Sequence, residues 1–223
     1  FGTKEYYLSF QKDIVLSHDL SDIVALIIHE FWHLYIDTFF PYLSMAANTI
    51  DSCIESEASA GQITLWERDI LIAINDAVSD SVLMIEQLRQ GYLEAAKKYA
   101  EFYLRNSIAQ IFPNSSRDAI LTTGLLQVAL VTFIPFAVIG DRNTEKKIKT
   151  GFNETFKKAA DGRDILELFG ITTKILSEHR YPSYPELKNI LRMIERYSVA
   201  SSPAASLIQR GASSLVGEID FRS

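Results

Sequence analysis

The sequence predicts a mainly α (α+β) fold: a short N-terminal β-hairpin or sheet edge, then one long helix and a helical body. Three observations predict it. Tyr6-Tyr7-Leu8-Ser9-Phe10 and Ile14-Val15-Leu16 are β-prone runs on either side of the polar Gln11-Lys12-Asp13. From Ser21 onward, apolar residues recur at helical rather than alternating spacing. The 223 residues are 48% apolar and 22% charged, which suits a packed globular chain and excludes disorder and fibrous arrays.

The elements follow in order. Asp19 or Ser21 can cap a helix that runs to about Phe39, where Pro41 follows. Asp51 to Leu65 and Glu67 to Leu88 carry two more helical patterns. Gly91 to Ile111 is amphipathic, with Tyr92, Ala95, Ala96, Tyr99 and Tyr103 on one side. Pro113-Asn114-Ser115-Ser116 is a loop, and a basic helix is expected from about Thr144 to Lys158. Gly170 separates two short helices. His179 to Pro185 reads as extended because two prolines oppose a helix there, and Leu187 to Tyr197 is helical again. The expected organisation is residues 1–90 as a core carrying the chemistry, with 91–223 as a helical subdomain packed on it or continuous with it.

Charge and cysteine content narrow the function classes. A net charge of −6 with no concentrated basic face argues against a nucleic-acid partner. The single cysteine, Cys53, excludes an intramolecular disulfide and points to a reducing, cytoplasmic setting. Charges at Lys4, Glu5, Lys12, Asp13 and Asp19 leave no signal-peptide core in the first twenty residues. Ala119 to Gly140 is uncharged over 22 residues, long enough to span a bilayer. Thr122, Thr123, Gln127, Thr132 and Pro135 interrupt it, so a buried core helix is the first expectation and membrane association through 119–140 the alternative.

The informative segment is Ile27-Ile28-His29-Glu30-Phe31-Trp32-His33-Leu34. Histidines four apart on a helix stand one above the other on one face. Two imidazoles so placed can share a zinc ion, Zn2+, and the Glu after the first lies where it can take a proton from an activated water. The apolar residues around them bury the helix and keep the site dry. Zinc takes a third protein ligand and leaves one position open. His18 precedes the helix and is badly placed, and the carboxylates to weigh are Glu55, Glu57 and Asp76.

Ala73-Ile74-Asn75-Asp76-Ala77-Val78-Ser79-Asp80 resembles the second zinc motif of the thermolysin-like gluzincin metallopeptidases, and His29 to Asp37 (HEFWHLYID) is similar to their pentad followed by an Asp four residues on. The resemblance covers about 20 residues in two patches. It implies zinc ligands His29, His33 and Asp76, with Glu30 as general base. It also implies supporting roles for Asn75 behind the second histidine and Asp80 behind the first, a kind of support that fixes a ligand's tautomer. The family has Glu where this chain has Asp76. Ile54-Glu55-Ser56-Glu57-Ala58-Ser59 is similar to the Glu-x-x-Ala-Asp motif of other gluzincins, with Ser59 in place of the Asp, which keeps Glu55 and Glu57 open as third ligand.

Hydrolysis also needs a donor opposite the metal for the developing oxyanion. His179-Arg180-Tyr181-Pro182-Ser183-Tyr184-Pro185 offers His, Arg and Tyr on one constrained loop, and Tyr184 and His179 are the catalytic expectations there. Ile14-Val15-Leu16 could supply a sheet edge for an extended peptide.

These readings combine into a zinc-dependent metallopeptidase acting on a peptide or protein substrate. The alternatives are a non-catalytic metal-stabilised sensor or interaction module, and a membrane-associated peptidase.

Overall fold

Asp19 starts the first helix: its carboxylate accepts the Asp22 backbone N–H at 2.9 Å, satisfying one of the donors that a helix N-terminus leaves free. The computed structural model describes residues 19–114, 118–156 and 162–196. Among the described residues the order is α1 (Leu20–Phe39), α2 (Pro41–Ser59), α3 (Leu65–Arg89), α4 (Leu93–Asn114), α5 (Asp118–Thr132), α6 (Ile134–Ile139), α7 (Arg142–Phe156), α8 (Gly162–Glu178) and α9 (Tyr184–Arg196), with no strand. The mainly α expectation stands on this. The N-terminal hairpin, the Ile14–Leu16 edge and His18 lie outside the described residues.

The long helix α3 is the axis of the fold. A capping box opens it: Thr64 accepts from the Glu67 N–H while Glu67 accepts from the Thr64 N–H. Ser81 to Leu88 are all buried, as expected for a helix surrounded by others. It packs against α1, α2, α4, α5, α6 and α9, and one hydrophobic cluster runs from Trp32 to Ile194.

Several boundaries differ from the sequence expectation. Pro41 begins α2 instead of only following α1, because proline at the first helical position gives up an N–H that has no partner there anyway. The helix expected over Asp51 to Leu65 therefore starts ten residues earlier and ends at Ser59. Gly170 does not break α8, whose register continues from Gly162 to Glu178. Tyr184 and Pro185, expected in an extended stretch, form the first turn of α9, and Ser183 accepts the Leu187 N–H.

The uncharged stretch divides at Phe133, and Gly140 ends α6 at φ 81, a left-handed conformation glycine adopts without strain. Leu125, Leu126, Val128 to Val131, Phe133, Ile134 and Phe136 are all buried in the core. Gln127 donates to the Ala73 carbonyl on α3, so even its central amide is satisfied inside the protein. Among the described residues no single helix is long and apolar enough to cross a membrane. The pair α1 and α2 meets the length and composition only together, across a 98° bend.

Candidate metal centre

The buried positions of α1 are Asp22, Ala25, His29, Trp32 and Ile36, spaced by three and four residues. His29 thus belongs to the buried stripe and is 2% exposed. His33, one turn on, is half-buried at its edge, and the two Nε2 atoms come within 3.2 Å. His29, Glu30 and His33 each offer a ligand atom within 4.8 Å of the others. From α3, Asp80 Oδ1 reaches 3.5 Å from His29 Nε2 and 3.3 Å from His33 Nε2. Tyr99 of α4 covers the flat face of the His29 ring.

Two imidazole nitrogens and a carboxylate oxygen therefore meet in a triangle 3.2 to 3.5 Å on a side. All three can present lone pairs, so a proton or a cation has to stand among them to relieve their repulsion. A tetrahedral ion with bonds of about 2.0–2.1 Å separates its ligand atoms by about 3.3–3.4 Å, which is the triangle found. The donor set fits a divalent transition metal.

The same closeness shows in the acidities. Burial alone would raise Asp80, yet its hydrogen bonds with His29 and His33 hold the carboxyl at about 2. Burial lowers His29, more than the bond to Asp80 restores. For His33 burial also acts downward, but the Asp80 hydrogen bond and charge outweigh it and the imidazole is raised. His29 Nδ1 is buried with no hydrogen-bond partner among the described residues. The His29 ring is thus fixed through its Nε2 side and its stacking, and among the described residues no carboxylate bonds to its Nδ1.

The other expected residues fall elsewhere. Asp76 is exposed, one turn before Asp80, and its carboxylate bonds to neither histidine among the described residues; burial and the neighbouring Asp51 and Asp80 raise its pKa. Asp80, expected behind His29, faces both Nε2 atoms instead. Asn75 does not support a histidine: its Nδ2 donates to Asp51 Oδ1 at 2.8 Å and to the Ala47 carbonyl, and its Oδ1 accepts from the Tyr181 hydroxyl. Glu55 pairs with Arg68, and Glu57 accepts from Tyr184 and Lys188. His179 is exposed and paired with Glu186. Of the 179–185 segment, Tyr181 is the residue that lines the same cleft as His33.

Sequence reasoning missed Tyr99 and Asp51 as parts of this assembly. The only sign of Tyr99 was its place on the apolar side of α4, which does not say that it meets His29. Asp51 carried no sign at all. Compared with family models, curated proteins and solved structures, the chain shows no match in any of the three.

Proposed function

We propose that this chain is a zinc-dependent hydrolase of peptide bonds, with His29, His33 and Asp80 as the metal ligands and Glu30 as the general base. The observation that supports it is the triangle of His29 Nε2, His33 Nε2 and Asp80 Oδ1, with sides near the spacing of a tetrahedral ligand set. Zinc in such a setting supplies Lewis acidity, acidifying a water and polarising a carbonyl oxygen. Glu30, whose carboxylate lies within 4.8 Å of the ligand atoms of both histidines, takes the proton of the attacking water. It then hands that proton to the leaving amine as the C–N bond breaks. Two imidazoles and a carboxylate also suit ferrous iron. A spare carboxylate next to the first histidine favours hydrolysis, since proton transfer is what it can do there.

The test is elemental analysis of the purified chain together with anomalous scattering at the zinc edge, alongside cleavage of an unstructured protein such as casein. One zinc per chain on His29, His33 and Asp80, with cleavage that a chelator abolishes, supports the reading. A chain that binds no zinc, or binds it and cleaves nothing, refutes it.

A further inference from the structure

Beside His33 the helices leave a cleft of about 230 Å³ that the steps above do not use. Sites for whole small molecules run roughly 300–1,000 Å³, so this one matches a single side chain. The largely buried aliphatics Ile36, Leu43, Val82 and Leu83 line it together with the polar Ser44 and Asn48. Its polar edge carries Asp37, which lies one turn beyond His33 on α1 and accepts a hydrogen bond from the Ser44 hydroxyl. Asp37 is exposed and makes no ion pair with a lysine or arginine among the described residues; the titratable group its charge reaches is His33. No lysine or arginine lines the cleft among the described residues, and none occurs between Lys12 and Arg68, the stretch that builds α1 and α2.

A cleft lined in part by aliphatic side chains and ending in a carboxylate without a lysine or arginine partner fits a side chain with a methylene stem and a cationic tip. An acidic tip would meet like charge. A wholly apolar one would strip water from Asp37 and return no hydrogen bond. We propose that the cleft is a subsite for a lysine or arginine side chain next to the scissile bond, with Asp37 as the specificity-determining residue. This rests on the hydrolytic reading of the His29–His33–Asp80 centre.

The experiment uses the zinc-loaded full chain and fluorogenic peptides that differ at one residue, placed in turn on either side of the cleaved bond: lysine, arginine, norleucine or glutamate. Norleucine keeps the stem and removes the charge. Lysine and arginine peptides should show kcat/KM about tenfold above norleucine, with glutamate lowest. Asp37→Asn should bring the lysine-to-norleucine ratio near one, chiefly through KM of the lysine peptide. Asp37→Lys should turn the preference toward glutamate. Cleavage that ignores charge, or a ratio that survives Asp37→Asn, overturns the subsite and leaves hydrolysis standing. Loss of zinc from Asp37→Asn, or an equal fall on both peptides, assigns Asp37 to holding His33 and likewise overturns it. A zinc-loaded chain that cleaves none of the peptides overturns the hydrolytic reading, and the subsite with it.

Discussion

Tyr99 lies flat on His29, with ring centroids 3.6 Å apart and 8° between the planes. Tyr99 is 5% exposed, so α4 seals one face of the His29 imidazole against water. Tyr99→Ala removes a buried aromatic and should destabilise the fold by about 3–5 kcal/mol. It should also loosen zinc by letting the ring turn. Tyr99→Phe keeps the stack and should retain zinc. Thermal unfolding and zinc titration of both variants check this, and equal zinc affinity in Tyr99→Ala and the parent would refute the positioning role.

For the proposed zinc, Asp80 and Asp76 are the carboxylates to weigh as third ligand: Asp80 Oδ1 stands 3.5 and 3.3 Å from the two Nε2 atoms, and Asp76 is exposed. Asp80→Ala leaves two imidazoles and should reduce zinc affinity by well over the ~10–100-fold typical of losing a supporting partner. Asp76→Ala removes an exposed carboxylate and should keep about one zinc per chain. Zinc content after dialysis against a chelator decides between them. The reverse pattern would return the ligand to Asp76.

The pentad was legible because it is a local property: one helix sets the angle between His29 and His33, and the sequence displays that helix. The carboxylate that meets the pair was not. Asp76 and Asp80 are four residues apart on α3, nearly in line and about 6 Å along the axis, so pattern alone ranks them equally. Which one meets the pair depends on how far α3 slides along α1, and that is set by its packing on α2, α5 and α6. The same holds for Asn75, drawn away by Asp51 and Tyr181 from residues distant in sequence. The start of α2 is ambiguous in the sequence for a local reason, since Pro41 can end one helix or begin the next. The uncharged 119–140 stretch displayed its burial in its threonines and Gln127, but the partner of Gln127, the Ala73 carbonyl, could not be read from it.

Proton and metal compete for His33. Its pKa is raised in the metal-free protein: burial acts against this, but the hydrogen bond to Asp80 and its charge prevail. A raised histidine stabilises the metal-free fold fully below its unfolded value of about 6.5, and that contribution is lost as pH rises through the folded value. Zinc needs the deprotonated ring, so its own stabilisation runs the other way. The rise in Tm on adding zinc should therefore grow between pH 5.5 and pH 8. A rise independent of pH across that window would show that His33 is not displaced by the metal.

Glu30→Gln should abolish hydrolysis and leave zinc near one per chain, because the amide cannot accept the water's proton and the three ligands are untouched. General-base removal typically costs ~10²–10⁴-fold in kcat. Full activity in this variant, or loss of the metal, would reassign Glu30.

Tyr181 ties the loop before α9 to the back of the site. Its hydroxyl donates to Asn75 Oδ1 at 2.9 Å, while Asn75 Nδ2 donates to Asp51 and to the Ala47 carbonyl, so three segments meet at one buried amide. Asn75 is 1% exposed, and burial with Asp51 nearby pushes the Tyr181 phenol well above its usual range, so it remains a donor at all ordinary pH. Tyr181→Phe leaves the Asn75 oxygen buried without that donor, which costs about 1–3 kcal/mol. At roughly 2–4 °C per kcal/mol for a chain of this size, the fall in Tm is measurable. Asn75→Asp should be worse, because it sets a second carboxylate against Asp51 and takes away the donor that Asp51 relies on. A calorimetric ranking of parent, Tyr181→Phe and Asn75→Asp, most to least stable, tests the network. If Tyr181→Phe matched the parent while Asn75→Asp fell, the hydroxyl would contribute nothing and the Asn75 amide would act only through Asp51 and the Ala47 carbonyl.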